Sequence, residues 1–199
     1  MLLTLIYSST IIEEVLKLCQ DDSGSALAYF YFDFQNRDQQ QCESLLRSSI
    51  AQFSDQAPNT PEALQRLYSR CQSSRYRPDS DDLTATLQCI VQEFRRAYIV
   101  VDALDECTER ESLLELIEKM VDWNSNTLHI LVTSRKEREI EDSLILQCQH
   151  TMALQGSVIA RDIEIHVFEK LRNDPRLKKW PAKVRAEIKE KLMKGACGM

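Results

Sequence analysis

One apolar run that ends in a cluster of carboxylates limits the folds open to this chain. The run is Ala97-Tyr-Ile-Val-Val-Asp-Ala-Leu-Asp-Glu-Cys107. Tyr98 to Val101 is uncharged and rich in β-branched side chains, which is typical of a strand covered on both faces in a parallel sheet. Asp102, Asp105 and Glu106 follow it. Because such sheets bind ligands beyond the carboxyl ends of their strands, the pattern predicts a metal or phosphate site there.

Short apolar runs alternate with amphipathic stretches along the rest of the chain. Ala26 to Phe34 and Leu128 to Val132 predict two more strands, and His150 to Leu154 predicts a weaker one. Apolar residues at helical spacing predict helices at Ile11 to Cys19, Leu45 to Phe53, Leu64 to Tyr68, Leu83 to Phe94, Leu113 to Val121, Ile163 to Leu171 and Val184 to Leu192. Strands that alternate with helices predict an α/β fold, and the last two helices form a tail.

The distribution of charge separates this tail from the rest of the chain. The sequence has 25 Lys and Arg against 31 Asp and Glu, and its net charge of −6 gives no reason to expect nucleic-acid binding. From Arg161 onward the balance reverses, with eleven Lys and Arg against six Asp and Glu. The shift predicts a second subdomain, whose basic surface is either a solvated face or a contact for phosphate, membrane or a partner.

Cysteine usage and hydropathy both predict a cytoplasmic protein. The seven cysteines are scattered without a C-x-x-C pair, so neither a zinc site nor a disulfide framework is indicated. No stretch approaches the roughly 20 apolar residues of a membrane span. Met1 to Tyr7 is apolar but lacks the positive start of a signal peptide. We therefore expect no membrane association.

The three acids suggest phosphoryl transfer. This reaction needs one acid to hold Mg²⁺, a second acid to orient the attacking water, and a cation to bind the γ-phosphate. Asp102 would hold the magnesium, Glu106 would polarise the water, and Arg135, at the end of the strand Leu128 to Val132, would reach the phosphate. The alternative is that the acids only charge the first turn of the next helix, which its dipole favours. Arg135 would then begin an exposed, ion-paired helix. The placement of both groups at strand ends favours the phosphate site.

The motifs at both strand ends resemble those of NACHT-domain NTPases. Val100-Val-Asp-Ala-Leu-Asp-Glu-Cys107 resembles their Walker B motif, in which a small residue, here Ala103, follows the magnesium aspartate and an acidic pair comes two positions later. Leu131-Val-Thr-Ser-Arg135 resembles their sensor motif. The segments similar to the NACHT domains of filamentous fungi, often called nephrocystin-like N-terminal segments, are Ser8 to Glu13, Tyr29 to Phe34 and Asp174 to Pro181. The resemblance runs from Ser8 to Met199.

NACHT domains are STAND-class P-loop NTPases, in which a nucleotide switch lies between an N-terminal effector and C-terminal repeats. The resemblance implies Mg²⁺ with ATP or GTP as cofactors, and protein partners or self-association through the full-length protein. It implies that Asp102 is the magnesium and cofactor ligand, that Asp105 and Glu106 are additional catalytic acids, and that Arg135 is the phosphate sensor.

The sequence lacks the phosphate-binding loop of that family. A P-loop has the pattern G-x-x-x-x-G-K-[S/T], because its glycine amides wrap the phosphates and its lysine neutralises them. The four glycines are Gly24, Gly156, Gly195 and Gly198, and none precedes Lys-Ser or Lys-Thr. The family places that lysine and hydroxyl residue near Thr4 and Leu5. The chain is therefore expected to be inactive in hydrolysis.

The resemblance divides the chain into three parts. Residues 1–7 do not match the family, residues 8–157 are expected to form a partial P-loop NTPase-like parallel-sheet core, and residues 158–199 begin a helical subdomain. The core would lack its first strand and P-loop, and the missing strand would leave unpaired inner edges in the sheet. Leu2 to Ile6 is a candidate strand for this gap. Both ends of the chain look like cuts through a larger protein.

Three hypotheses for function follow. The first is a partial nucleotide-dependent signalling switch of the NACHT type that does not hydrolyse nucleotide. The second is a non-enzymatic module for oligomerisation or protein interaction, with the basic tail as a contact. The third is an unstable fragment.

Overall fold

The protein divides into two compact units, each described here by itself. The computed structural model describes residues 2–36, 39–74, 76–123, 127–152, 156–174 and 176–196. The sheet unit is Met1–Cys148, and the helical unit is Gln149–Met199. The sequence prediction of a core that ends at residue 157 stays a prediction.

The sheet unit alternates helices with three strands. Its elements in order are α1 (Leu2–Asp21), β1 (Ser25–Tyr31), α2 (Cys42–Gln56), α3 (Glu62–Ser74), α4 (Ser80–Val91), β2 (Arg96–Asp102), a 3₁₀ turn (Leu104–Glu106), α5 (Arg110–Val121), β3 (Leu128–Val132) and α6 (Arg138–Leu144). The helical unit contains α7 (Gly156–Asn173) and α8 (Ala182–Ala196). The α/β prediction and the helical tail are confirmed.

The three strands form a parallel sheet in the order β1-β2-β3. β2 lies at the centre, where Tyr31 pairs with Asp102 on one side and Val101 with Val132 on the other. Four consecutive residues at its end, from Ile99 to Asp102, are buried. The prediction of a covered parallel strand from the uncharged β-branched run is confirmed. A P-loop NTPase-like core goes beyond these observations and stays a prediction.

The side chains that alternate along the strands face two very different layers. On one face, which we call the core face, Ala28, Ile99 and Val101 join a large apolar cluster built with α2, α3, α4 and α5. Phe53 and Leu87 are completely buried in it. Burying a side chain of this size contributes about 1.5–3 kcal/mol to folding. The core face therefore contains most of the apolar packing.

On the other face of the sheet, which we call the α1 face, α1 packs against the strands in the described part of the sheet unit. Ile12 of α1 packs with Leu27 and Val100 in a small buried cluster, and Val15 and Cys19 extend it. Tyr98 stacks on His129 at a ring-centroid distance of 5.1 Å, and His129 is exposed. Among the side chains that the structure describes, this apolar cluster is much smaller than that of the core face.

Two predicted strands are corrected by the structure. Leu2 to Ile6 is helical and belongs to α1, because nothing between this run and the helical stripe that begins at Ile11 breaks a helix. The predicted strand from His150 to Leu154 is wrong where it is described. His150, Thr151 and Met152 form no strand, and all three are exposed, so these residues bury no apolar surface that would favour one. Ala153 and Leu154 lie outside the described residues.

Candidate functional site

The carboxyl ends of the three strands meet at one end of the sheet. Backbone hydrogen bonds hold the segments after them together: Phe32 N donates to Asp102 O at 3.1 Å, and Leu104 N donates to Thr133 O at 3.0 Å. The segments that follow β1, β2 and β3 therefore share one region. We call Asp102, Asp105, Glu106 and Arg135, the four residues singled out from the sequence, the strand-tip cluster.

Ala103 reverses the chain between the first acid and the other two. Its backbone is left-handed, with φ 55° and ψ 48°. This conformation costs an L-residue with a side chain roughly 1–2 kcal/mol, and its small methyl group limits the crowding. Ala103 N donates to Thr133 Oγ1 at 3.1 Å. The sharp turn places Asp105 and Glu106 in the 3₁₀ turn directly after the strand.

Asp102 is a buried carboxylate that joins three elements. It is 2% exposed, and its Oδ1 accepts hydrogen bonds from Ser8 Oγ at 2.5 Å and from Thr133 Oγ1. Ser8 belongs to α1 and is fully buried. A buried charge is costly unless it is hydrogen-bonded or paired. Among the described residues, no lysine or arginine forms an ion pair with Asp102, so the two hydroxyls supply its compensation.

Asp105 and Glu106 are bound by backbone groups and by one arginine. Asp105 Oδ1 accepts from Arg135 N at 2.9 Å, and its Oδ2 lies 3.4 Å from Arg135 Nε. Glu106 Oε2 accepts from Phe34 N at 3.0 Å, and its Oε1 lies 3.7 Å from Arg135 Nη2. The two carboxylate side chains are 6% and 8% exposed, whereas that of Arg135 is 66% exposed. The guanidinium therefore covers both acids from the solvent side.

Tyr31 adds a neutral hydroxyl beside Asp102. Burial raises the pKa of the Tyr31 hydroxyl above its ordinary value, and the Asp102 carboxylate raises it further, while a hydrogen bond with Ser9 opposes the shift. The phenol is therefore protonated at neutral pH. It adds no negative charge to the strand tips.

Comparison with protein families gives one match. The family model described as Nephrocystin 3, N-terminal matches residues 5–135, which is more than half of the chain. The chain belongs to the nephrocystin 3 N-terminal family. No curated protein and no solved structure matches it. The family match includes all three strands and ends at Arg135.

Within this nephrocystin 3 N-terminal domain, the members of the strand-tip cluster follow neighbouring strands, and each already has a partner in the protein. Arg135 contacts Asp105 and Glu106, while Asp102 is held by hydroxyls. The described residues contain no group of three His, Cys, Asp or Glu side chains arranged to hold a metal ion. To bind Mg²⁺, Asp105 and Glu106 would have to exchange their contacts with Arg135, and Asp102 would bind it beside the Ser8 and Thr133 hydroxyls. The magnesium role of Asp102 and the catalytic roles of Asp105, Glu106 and Arg135 stay predictions.

Three contacts of the nephrocystin 3 N-terminal domain were missed from the sequence. Ser8 shares the helical stripe of Ile12 and Val15, and this polar position on an apolar stripe was the available signal. Thr133 directly follows β3, a strand whose residues are half-buried or exposed. Arg110 donates to Asp105 O at 2.7 Å and to Glu137 Oε2 at 2.5 Å, and no pattern indicates it.

None of the helices in the described part of the chain has the length and apolarity needed to cross a membrane.

Proposed function

We propose that this chain is a NACHT-like signalling domain that acts by binding other proteins or further copies of itself, and that it does not hydrolyse ATP or GTP. Membership of the nephrocystin 3 N-terminal family supports the signalling or interaction role. The absence of hydrolysis is inferred from the strand-tip cluster, in which every acid has a partner within the protein. Partners are expected to be proteins, with neither nucleic acid nor membrane involved.

The ion pairs of Arg135 oppose the role of a phosphate sensor. To reach a phosphate, its guanidinium would have to leave Asp105 and Glu106, whose side chains are almost buried. An exposed ion pair contributes only about 0–1 kcal/mol. Removing the cation from acids that are largely desolvated costs more, because it leaves them with only their hydrogen bonds to neutral groups. The resting position of Arg135 is therefore one that neutralises acids.

The absence of a phosphate cradle from the sequence supports the same proposal. Mg²⁺ with ATP or GTP would require backbone amides and a lysine around the phosphates, and no glycine of this chain precedes Lys-Ser or Lys-Thr. When bound in a complete site, such a cofactor supplies a phosphoryl group for hydrolysis. In this chain the acids act instead as hydrogen-bond acceptors that tie α1, β2 and the segment after β3 together.

Titration with fluorescent ATP and GTP in the presence of Mg²⁺ tests the proposal. We expect at most weak binding and no release of phosphate above the rate without protein. Asp102→Ala is the matched variant, because it removes the predicted magnesium ligand. Micromolar affinity in the wild-type protein that disappears in Asp102→Ala would contradict the proposal.

A nucleotide-dependent switch is the second candidate. The observation that favours it is the position of three acids and an arginine at the carboxyl ends of parallel strands, where α/β proteins bind ligands. Measuring the molar mass by light scattering, with and without Mg²⁺ and ATP or GTP, separates the two candidates. A molar mass that changes when nucleotide is added favours the switch. Association to the same molar mass with and without nucleotide favours the interaction module.

A cytoplasmic location belongs to the same proposal. The six cysteines among the described residues, at positions 19, 42, 71, 89, 107 and 148, are free thiols. Free thiols persist in reducing compartments. Expression of the chain with a fluorescent tag tests this location, and accumulation in the secretory pathway would contradict it.

A further inference from the structure

Two glutamine side chains of α2 cover the outer edge of β1. β1 is the first strand of the sheet, and its strand partner is β2. Gln56 Oε1 accepts from Leu27 N at 3.0 Å, and Gln56 Nε2 donates to Leu27 O at 2.7 Å. Gln52 Oε1 accepts from Tyr29 N at 3.1 Å, and Gln52 Nε2 donates to Tyr29 O at 2.8 Å. Each amide thus occupies both backbone groups of one strand residue.

The spacing of the two glutamines matches the strand. Four residues of a helix rise about 6 Å, and two residues of a strand rise about 6.6 Å. Gln52 and Gln56 lie on one side of α2, so they meet alternate residues of β1, whose outer backbone groups point the same way. The later glutamine bonds the earlier strand residue, so α2 runs antiparallel to β1. The paired donor and acceptor reproduce what a residue of an adjacent antiparallel strand would offer.

The amides are held in place by the helix that carries them. Gln52 Nε2 also donates to Ser48 Oγ at 2.9 Å, and Gln56 Nε2 also donates to Gln52 O at 2.7 Å. Phe53, between the two glutamines, is fully buried in the core face. The bonds to β1 therefore come from a packed helix with ordered side chains.

We propose that Gln52 and Gln56 form an edge clamp that closes β1 to strand addition by a second copy of this chain. An uncovered edge strand presents unpaired N–H and C=O groups that template pairing with another chain. β1 reads Ser25-Ala-Leu-Ala-Tyr-Phe-Tyr31, without a charge or a proline, and uncharged segments of this length with aromatic residues are those that pair and aggregate most readily. The edge clamp occupies the two residues that would begin such pairing. It is independent of the strand-tip cluster and of any nucleotide.

The double variant Gln52→Leu and Gln56→Leu tests the edge clamp. Leucine keeps the helix propensity of α2 but makes no hydrogen bond, so the outer groups of Leu27 and Tyr29 become available. Sedimentation velocity is expected to show self-association at a concentration at least about tenfold lower than for the wild-type protein, a factor that corresponds to 1.4 kcal/mol.

A matched double variant separates edge opening from lost stability. Gln52→Glu and Gln56→Glu keep the side-chain size but remove the amide groups that donate to Tyr29 O and Leu27 O. They also place negative charge on the edge, which discourages pairing. We expect this variant to be less stable than wild type and to associate no more than wild type. Equal association of the leucine and glutamate variants would show that association follows instability, and would overturn the proposal.

Two further measurements locate the effect. Tyr29→Lys, added to the leucine variant, places a charge on the edge itself and is expected to restore the wild-type association. Gln72→Leu removes an α3 glutamine that bonds the Tyr68 hydroxyl, and it should change nothing.

Amide hydrogen exchange in the wild-type protein tests the edge clamp without any substitution. The Leu27 and Tyr29 amides should exchange slowly, as hydrogen-bonded amides do. Exchange at the rate of an unprotected amide would overturn the proposal, even if the leucine variant does not fold. A folded leucine variant that associates no more than wild type would also overturn it.

Discussion

The two faces of the sheet differ in what they contribute. The core face contains most of the apolar packing, and the α1 face carries part of the candidate site. The core face buries its strands under several helices, with Phe53 and Leu87 fully enclosed. On the α1 face, the described side chains of α1 contact the strands through a small cluster around Ile12. Asp102 follows Tyr98 and Val100 by strand alternation, so its side chain belongs to the α1 face. The strand-tip cluster is thus attached to the thinner side of the fold.

Polar contacts near both ends of the α1 face compensate for its small apolar layer. At the carboxyl end of the sheet, Ser8 donates to Asp102. At the opposite end, Asp22 directly after α1 accepts from Ser25 Oγ at 2.6 Å and lies 2.5 Å from Arg95 Nη2. The comparison teaches that hydrogen bonds and an ion pair can fix a helix that buries little apolar area.

The largest difference between the faces should appear when apolar side chains are truncated. Phe53→Ala removes a fully buried ring that packs against Phe94 at 5.7 Å, and should lower the free energy of unfolding by about 3–5 kcal/mol. Ile12→Ala on the α1 face should cost less, about 2 kcal/mol, because a thin layer collapses more easily around a cavity. Urea denaturation measures both. An equal or larger loss for Ile12→Ala would contradict the division between faces.

The second effect concerns the polar attachment of α1. Asp102→Ala leaves the Ser8 and Thr133 hydroxyls without their acceptor, and should lower the free energy of unfolding by about 1–3 kcal/mol. Ser8→Ala should cost less, because Thr133 still bonds the carboxylate. The double variant should lose less than the sum of the two single losses, since the residues share one bond. Additive losses would show that the two side chains act independently.

A third comparison uses two thiols, one on each face. Burial, with smaller effects of Cys107 and Glu109, raises the pKa of the Cys42 thiol to about 12, and burial also raises the pKa of Cys19. Both are protonated at pH 8, so alkylation requires exposure. Cys19 should react with iodoacetamide at least about tenfold faster than Cys42, because only α1 has to move. Mass spectrometry measures the rates, and exposed Cys89 is the fast control. Equal rates for Cys19 and Cys42 would mean that the faces open together.

The smallest effect is a pH dependence at the far end of α1. The Arg95 guanidinium, the Ser25 hydroxyl and the Gly24 N–H hold the pKa of Asp22 well below its ordinary value of 3.8. The resulting stabilisation is complete above that value and is lost as the pH falls toward the lower, folded pKa. Asp22→Asn should therefore reduce the loss of stability below about pH 4. The effect is modest because the Arg95 side chain is 68% exposed and water screens the pair. Chemical denaturation at several pH values measures the effect. If the free energy of unfolding depends on pH equally in wild type and Asp22→Asn, the Asp22 contacts do not contribute to stability.

Much of the fold was predictable because its signals are local. The uncharged run Tyr98 to Val101 identified the central strand, and periodic apolar residues identified α1 to α5, α7 and α8. They did not identify the short helix α6. Met1 to Tyr7 is apolar apart from Thr4, so periodicity did not separate strand from helix there. The strand predicted over Ala26 to Phe34 ends at Tyr31, where a turn begins in which Asn36 N donates to Asp33 O at 3.0 Å.

The candidate site was predictable in its members but not in its contacts. Strand ends that meet in a parallel sheet bring the segment after Asp102 to the segment that carries Arg135, and this follows from topology alone. Which acid the arginine contacts depends on the left-handed backbone at Ala103, which periodicity does not show. Gln52 and Gln56 have the spacing of an exposed helix face, so their bonds to β1 required the structure.

The most direct test of a structural strand-tip cluster is the free energy of unfolding of wild type and Asp102→Asn, each with and without Mg²⁺ and ATP or GTP. A ligand that binds only the folded state stabilises it, by about 2.7 kcal/mol at 100 times its dissociation constant. We predict that nucleotide leaves both proteins unchanged and that Asp102→Asn is less stable to the same extent in every condition. Stabilisation of the wild type alone by Mg²⁺ and nucleotide would contradict this account and restore Asp102 as a magnesium ligand.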